Sequence, residues 1–467
     1  MKIHEIRLKN FRKFIDERFH FNTQTNVTVL IGDNATGKSA ILDALSIMMG
    51  SYLLDFKVPR AARHIRKNEI RLKQIQVGEL HTVEPQWSEG VSLSCLGSLS
   101  ERNEPMFWSR ELTSETGKTT RINAKNIAEV GKSARLKLEQ GKEVLLPILA
   151  YYGTGRLWHK LQDGKLEKPD SRSVGYRDCL APASNHHLFL KWFSRLERAS
   201  LQKRKSLGVL EAVRRAVKTC ITDCKNIYYD MEREELMIEL TELSESNTQL
   251  YSFENLSDGY RNMLAMVADI AHRAARLNPH LAEETAMLTP GVVLIDEVDL
   301  HLHPKWQRSV MHQLRSAFPK VQFIVTTHSP FIIQSLKFGE VIDLNNPHEP
   351  QETAPLTSEL EGEKLQEFAT ADPAPSAAYC DQSIEDIVEN VMGVPLPSRS
   401  ARLQKMYDVA KQYYDLLEQA APDSDDTNLQ ALKVQLDELS SPFSEHVAYH
   451  AFLERKRLKM GVIGDDE

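Results

Sequence analysis

The residues Gly32-Asp33-Asn34-Ala35-Thr36-Gly37-Lys38-Ser39 follow the pattern GxxxxGKS. They stand between a β-branched run, Val27-Thr28-Val29-Leu30-Ile31, and a stretch of helical spacing. Residue types in that order can cradle phosphates. Gly32 and Gly37 let the backbone curl so that N–H groups along Asn34, Ala35 and Thr36 point inward, and a helix starting near Gly37 and running on through Ala40 adds the positive end of its dipole. Lys38 then reaches the β and γ phosphates of ATP, and Ser39 holds Mg2+. A second pair, Asp296-Glu297, ends the apolar run Val292-Val293-Leu294-Ile295, and the carboxyl end of a buried strand is where ligands sit in an open α/β sheet. Asp296 fits a Mg2+ partner, and Glu297 is placed to polarise a water for attack on the γ phosphate. Acids that only cap a following helix are the minor alternative, and beside a phosphate cradle the pair reads as chemistry. Between the two motifs lies Leu256-Ser257-Asp258-Gly259. A serine and a glycine at a helix start can bind a phosphate, although Ser-Asp-Gly is usually an N-cap.

The elements that must position these residues follow from periodicity. Residues Lys2 to Phe21 alternate, with Ile6 and Leu8 on one face and then Phe19 and Phe21, which predicts an opening hairpin. Val27–Ile31 reads as a strand, and Ile41, Leu42, Leu45, Met48 and Met49 mark a helix from Ser39. A mixed region up to about residue 160 ends in a strand from Val144 to Tyr152. Helical spacing returns between about 185 and 225, and Ile227 to Leu240 reads as a hairpin around Glu232-Arg233-Glu234. Val292–Ile295 and Phe323-Ile324-Val325 have the continuous apolarity of strands buried on both faces of a parallel sheet. Five prolines interrupt the segment from Pro347 to Pro375, and three amphipathic helices follow. The first opens at Ser383 and Asp386, the second carries Leu403, Met406, Ala410, Tyr413, Tyr414 and Leu417, and the third has Leu429, Leu432, Leu436 and Leu439. The expected organisation is residues 1–160 as a first lobe with the P-loop, 161–245 as a helical insertion and hairpin, 246–345 as a second lobe, 346–376 as a linker and 377–467 as a C-terminal helical region.

Composition bounds the class. The chain has 467 residues, 58 Lys+Arg against 65 Asp+Glu and a net charge of −7, which argues against a surface coated in nucleic-acid-binding charge. No apolar run reaches the roughly 18 residues of a membrane span, and no apolar stretch follows the basic start, so a cytoplasmic protein without a membrane partner is expected. Cys95, Cys179, Cys220, Cys224 and Cys380 are scattered and read as reduced, mostly buried thiols. Cys220 and Cys224 lie a helical turn apart by number, but two ligands do not make a zinc site. His301 and His303 flank Leu302; Pro304 and Trp306 favour the packed start of a helix there over a metal site.

The order of P-loop, Leu-Ser-Asp-Gly, strand with Asp296-Glu297, Asp299, and then Thr326-Thr327-His328-Ser329 after another strand resembles the ABC-type ATPase head. The opening Ile6-Arg7-Leu8-Lys9-Asn10-Phe11-Arg12 resembles the branch containing RecF, the structural-maintenance-of-chromosomes (SMC) heads and the OLD-type ATPases. Gly32-Asp33-Asn34 and the run from Asp296 through Val298, Leu300 and Pro304 to Gln307 look like the small ATPases of anti-phage modules, notably the Septu ATPase subunit and its retron-associated relatives. The resemblance implies an α/β ABC-type P-loop head with a helical lobe and a C-terminal helical region. It implies a homodimer or higher oligomer in which Ser257 and Gly259 of one chain close over the nucleotide held by Lys38 and Ser39 of another. It implies His328 as the γ-phosphate switch, Asp299 as a residue crossing that interface, and Arg12 as a phosphate contact. The sequence departs from the family at Tyr151-Tyr152-Gly153-Thr154-Gly155-Arg156, where a glutamine is usual; Arg156 is the candidate substitute.

Partners are read from charge and from the resemblance. Lys57, Arg60, Arg63, Arg66, Lys67, Arg71 and Lys73 form one basic cluster. Lys203, Arg204, Lys205, Arg214, Arg215 and Lys218 form a second, and Arg455, Lys456, Arg457 and Lys459 a third. Such clusters suit DNA phosphates and equally suit solvated faces. A built-in nuclease is disfavoured, because Glu359-Leu360-Glu361-Gly362-Glu363 lacks a preceding apolar strand and Asp423, Asp425 and Asp426 sit in a loop-like stretch. The resemblance implies an HNH-type nuclease as a separate partner. A stand-alone RecF-like DNA clamp and a transporter's nucleotide-binding subunit are the alternatives.

Overall fold

The computed structural model describes residues 1–77, 80–99, 105–156, 171–182, 186–241, 248–345, 379, 382–394, 405–406, 408–410, 412–413, 416 and 427–440. Two compact units divide the chain, Met1–Gln382 and Ser383–Glu467.

In the first unit β1 (Lys2–Phe11) and β2 (Phe14–His20) form the expected antiparallel hairpin. β3 (Val27–Ile31) leads through the P-loop into α1 (Lys38–Gly50). β4 (Leu72–Val77) and β5 (Leu80–Pro85) pair with each other alone, while β6 (Val91–Ser98) and β7 (Pro105–Leu112) extend the first hairpin into a four-stranded antiparallel sheet of order β2-β1-β6-β7. Next come α2 (Lys125–Glu139), β8 (Ile148–Tyr152), α3 (His186–Lys203) and α4 (Gly208–Cys220). β9 (Cys224–Asp230), β10 (Glu235–Thr241) and β11 (Thr248–Ser252) make a three-stranded antiparallel sheet. After it run α5 (Asp258–Leu277), α6 (Thr285–Leu288), β12 (Gly291–Ile295), α7 (Pro304–Gln307), α8 (Val310–Ala317), β13 (Val321–Thr326), α9 (Pro330–Gln334) and β14 (Val341–Asp343).

The central sheet has the order β14-β3-β13-β12-β8, and every pairing in it is parallel. Helix α1 touches β1 and β6 on one side and β8, β12 and β13 on the other. Lying between two sheets, it is apolar around nearly its whole circumference: Ile41, Leu42, Leu45, Met48 and Met49 are all fully buried, each such side chain contributing roughly 1.5–3 kcal/mol. Buried Gln322 on β13 acts as a peptide mimic, accepting from Ile3 N (2.7 Å) and donating to Ile3 O (2.8 Å). It thereby joins the central sheet to the antiparallel one.

Strand β8 and helix α2 depart from expectation. The strand expected from Val144 begins only at Ile148, because side chains hold the residues before it: Arg172 donates to Val144 O (2.6 Å), and the Asn278 amide both accepts from Leu146 N and donates to Leu146 O (2.8 Å each). Helix α2 carries a buried stripe of Ile127, Ala128, Gly131 and Ala134 in place of large aliphatics. A Cβ on Gly131 would come within 2.0 Å of Tyr52 O, so close approach selects the small residue. The four described cysteines are buried free thiols. Cys220 and Cys224 are not on one helix, since the first ends α4 and the second opens β9.

His272 on α5 is buried against the Phe189 and Trp192 rings. Burial lowers its pKa despite nearby Asp269, so the folded chain holds it neutral. A base whose folded pKa is depressed contributes stability that is fully present above its unfolded pKa of about 6.5 and is lost as pH falls below it. His272→Gln is expected to shrink the drop in melting temperature between pH 7.5 and pH 5.5, measured by thermal unfolding; an unchanged drop would contradict this.

In the second unit α10 (Ile384–Asn390) starts with the expected capping box. Ser383 Oγ accepts from Asp386 N (3.1 Å), and Asp386 Oδ2 accepts from Ser383 N (3.3 Å). Ile387, Val391, Met406, Val409, Ala410 and Tyr413 are buried, as is Leu436 of α11 (Thr427–Ser440). The Pro347–Pro375 segment, Leu403, Tyr414, Leu417, Cys380, Glu359–Glu363, Asp423, Asp425, Asp426 and the basic residues from Arg455 to Lys459 lie outside the described residues.

Candidate functional site

Parallel strands deliver β3, β13 and β12 side by side, so the segments after their carboxyl ends converge. Those segments are Gly32–Ser39, Thr326–Ser329 and Asp296–Asp299. The P-loop backbone takes φ values of 143° at Gly32, 66° at Ala35 and 103° at Gly37. A Cβ on Gly37 would meet the Phe14 ring at 2.5 Å, which explains glycine there in two ways, conformation and space. The loop is braced from outside by Lys13 Nζ, which donates to Ala35 O (3.0 Å), and by Asn345 Oδ1, which accepts from Asp33 N (2.8 Å), and from within by Thr36 Oγ1, which donates to Asp33 O (2.9 Å).

Lys38 is 8% exposed and donates to Gly32 O (2.7 Å) and Asp33 O (2.8 Å). Burial draws its pKa down, against the pull of Asp296, Asp33, Glu297 and Asp299. The amides of Gly37, Lys38 and Ser39 open α1 and have no hydrogen-bond acceptor among the described residues; Ser39 is exposed. Asp296 is buried, with Oδ1 accepting from Thr326 Oγ1 (2.7 Å), while its other carboxylate oxygen has no hydrogen-bonding partner among the described residues. Free amides at a helix start, a buried ammonium, a serine hydroxyl and a carboxylate oxygen are the donor set that ATP with Mg2+ requires, so the residues present fit both groups.

Glu297 takes a left-handed φ of 48°, and its N–H donates to Thr326 Oγ1 (2.7 Å). Thr326 therefore fixes both members of the acid pair, a role the sequence reading did not assign. Thr327 Oγ1 donates to Asp299 Oδ1 (2.6 Å) and His328 is exposed. The next residue, Ser329, caps α9 and bonds Gln307 (2.6 Å).

Ser257 caps α5 without a side-chain bond and is exposed. A Cβ on Gly259 would meet His301 O at 2.6 Å, and Tyr260 packs edge-on against Trp306 with ring centroids 4.3 Å apart. The start of α5 is thus seated on the loop after β12. Among the described residues neither Ser257 nor Gly259 hydrogen-bonds to any P-loop residue. Gly259→Ala is expected to push α5 off this loop and, under the expectation that two heads associate with ATP, to weaken that association about tenfold, a change of ~1.4 kcal/mol, while leaving binding at the chain's own P-loop intact. Sedimentation velocity with and without ATP checks this.

Arg12, in the left-handed region at φ 51°, pairs with Asp43 of α1 and with Glu69 (3.4 Å), and Arg63 pairs with the same two acids. Arg63 is therefore an internal member of a four-charge network and leaves the basic surface cluster. In the second cluster Arg214 pairs with Glu197 and Glu211, and Arg215 with Glu283 and Glu284. Arg156 is 3% exposed and donates to the carbonyls of Asp296 (2.7 Å) and Glu297 (2.9 Å). It grips the backbone under the acid pair. His303 caps α7 through Nδ1, accepting from Lys305 N (3.2 Å), in agreement with the packed helix start. Among the described residues no cluster of metal-ligating side chains is found and no helix is long and apolar enough to cross a membrane.

Residues 2–343 match the family described as the RecF/RecN/SMC N-terminal domain. The chain is 25% identical over 396 residues to the retron Vc95 probable ATPase of Vibrio cholerae, covering 74% of each chain. It is 27% identical over 375 residues to the Septu protein PtuA of Bacillus mycoides, covering 78% of this chain and 43% of that one. Among solved structures, the Smc head bound to the C-terminal winged-helix domain of ScpA matches 73% of this chain and 94% of its own at 15% identity, with a TM-score of 0.42.

Proposed function

The chain belongs to the RecF/RecN/SMC N-terminal domain family, with the α/β fold of an SMC-type ATPase head, and from that premise we propose that it is an ATP-binding and ATP-hydrolysing regulatory subunit of an anti-phage defence complex. In that complex it controls an HNH-type nuclease partner acting on DNA. The observation that carries the ATPase part is the convergence of Lys38, Ser39, Asp296 and Glu297 beyond the carboxyl ends of β3 and β12, the two parallel strands that flank β13. The defence part rests on the similarity to proteins named retron ATPase and Septu PtuA.

In this reading Gly32, Asn34, Ala35, Thr36, Gly37 and Ala40 shape the phosphate cradle, and Lys38 neutralises the β and γ phosphates. Ser39 and Asp296 hold Mg2+, which screens phosphate charge when bound. Glu297 accepts a proton from the attacking water, and His328 and Asp299 respond to the γ phosphate. Two heads meet face to face, with Ser257 and Gly259 of each closing on the other's nucleotide. The C-terminal helical unit is the docking element for the nuclease.

A second reading, a stand-alone DNA clamp, draws on the exposure of Lys57, Arg60, Arg66, Lys67 and Lys73. Mass measurement of the complex purified with its neighbouring gene, with and without ATP, separates the two. A nuclease-sized subunit retained with the chain supports the defence complex. A lone chain passing from monomer to dimer with ATP, and binding DNA with a steep salt dependence, overturns it in favour of the clamp.

A further inference from the structure

Arg156 ties together three stretches of chain: its own, through Gly153, the start of α5 at Asn262, and the segment after β12 at Asp296 and Glu297. Its Nε donates to Asn262 Oδ1 (2.7 Å), Nη1 to Gly153 O (3.1 Å) and Asp296 O (2.7 Å), and Nη2 to Glu297 O (2.9 Å). Asn262, 2% exposed, carries the connection onward through Nδ2 to Leu300 O (2.8 Å). Asn262 stands on the first turns of α5, just after Ser257 and Gly259, and Leu300 follows Asp299 in the loop that Gly259 touches. One buried fork and one amide thus join the acid pair, the loop after it, the segment after β8 and the start of α5.

We propose that Arg156, acting through Asn262, is a positioning residue that couples the two nucleotide sites of a dimer. The proposal rests on the face-to-face reading above. In that arrangement each α5 start lies over the partner's nucleotide, whereas Asp296 and Glu297 serve the chain's own. Movement of α5 as it closes on the partner's phosphate is handed through Asn262 and Arg156 to the backbone of the same chain's acid pair. Guanidinium is suited to this because its donors are fixed in one plane and reach three elements at once, which a single ammonium cannot do. Buried, charge-assisted bonds resist being broken singly, since a donor left without an acceptor there is unfavourable. The link therefore moves as a unit, and at Glu297, already at φ 48°, a small backbone shift redirects the carboxylate.

The test uses the full chain and a fluorescent, slowly hydrolysed ATP analogue, with binding isotherms and sedimentation run in parallel. Wild type is expected to dimerise and to bind with a Hill coefficient well above 1 and at most about 2. Arg156→Lys keeps the charge and loses the fork. Asn262→Asp keeps an acceptor for Arg156 and loses the donor to Leu300 O. Both are expected to retain half-saturation within about threefold of wild type, to dimerise, and to bind with a Hill coefficient lower than that of wild type at the same protein concentration, because only the cooperativity that comes from dimerisation itself remains. Should Arg156→Lys unfold, Asn262→Asp alone decides. Unchanged cooperativity in the folded variants, or a dimeric wild type without cooperativity, overturns the coupling while leaving the dimer reading intact. A wild type that stays monomeric with the analogue bound overturns the face-to-face reading and the coupling with it.

Discussion

Lys38→Ala is expected to lower ATP affinity at least about 100-fold, a loss of ~2.7 kcal/mol or more. The ammonium is held in place before any ligand arrives, 2.7 Å from Gly32 O and 2.8 Å from Asp33 O, so little side-chain ordering remains to oppose binding. Four carboxylates, those of Asp33, Asp296, Glu297 and Asp299, favour its charged form. Without Lys38 the same carboxylates would repel the incoming phosphates. Its removal also leaves two loop carbonyls without that donor, so thermal unfolding must accompany the binding titration; Lys38→Met, which keeps the stem's packing, separates loop damage from lost charge. Equal ATP affinity in wild type and Lys38→Met, both folded, would remove the P-loop assignment.

What was legible in the sequence is what short stretches specify by themselves. GxxxxGKS, the apolar run before Asp296 and the Ser383–Asp386 box each carry their signal within a few residues, and the parallel sheet follows from continuous apolarity in β12 and β13. Features made by long-range contact were not legible. Arg156 drew notice because a glutamine is usual in that stretch, but its partners were not legible, since three of its acceptors lie on Asn262, Asp296 and Glu297, more than a hundred positions away. Arg63 counted as surface charge by its neighbours in sequence, yet Asp43 and Glu69 hold it inside. Thr326 is unremarkable at a strand end until its hydroxyl is seen between Asp296 and Glu297. The strand β11 went unread because Thr248, Gln249 and Leu250 are exposed at a sheet edge, where pairing with β10 supplies the structure and no burial pattern announces it.

Glu297→Gln addresses the chemical step alone. The substitution keeps the side chain's length and leaves the backbone bond from Glu297 N to Thr326 Oγ1 (2.7 Å) untouched. Neither Lys38 nor Asp296 loses a hydrogen bond, since neither bonds the Glu297 side chain. What disappears is the proposed acceptor for a proton from the attacking water, and a positioned general base is worth roughly 10²–10⁴ in rate. Single-turnover hydrolysis is therefore expected to fall by about that factor while ATP affinity stays within about threefold of wild type. In the face-to-face arrangement proposed above, closure of two heads follows ATP binding and opening follows hydrolysis, so the variant should accumulate as an ATP-bound dimer that wild type forms only transiently. Asp296→Asn makes the contrasting case: it removes the proposed Mg2+ partner, so binding and hydrolysis should fall together. Hydrolysis by Glu297→Gln within about tenfold of wild type would move the base elsewhere, and His328, exposed at the end of β13, would be the next residue to replace.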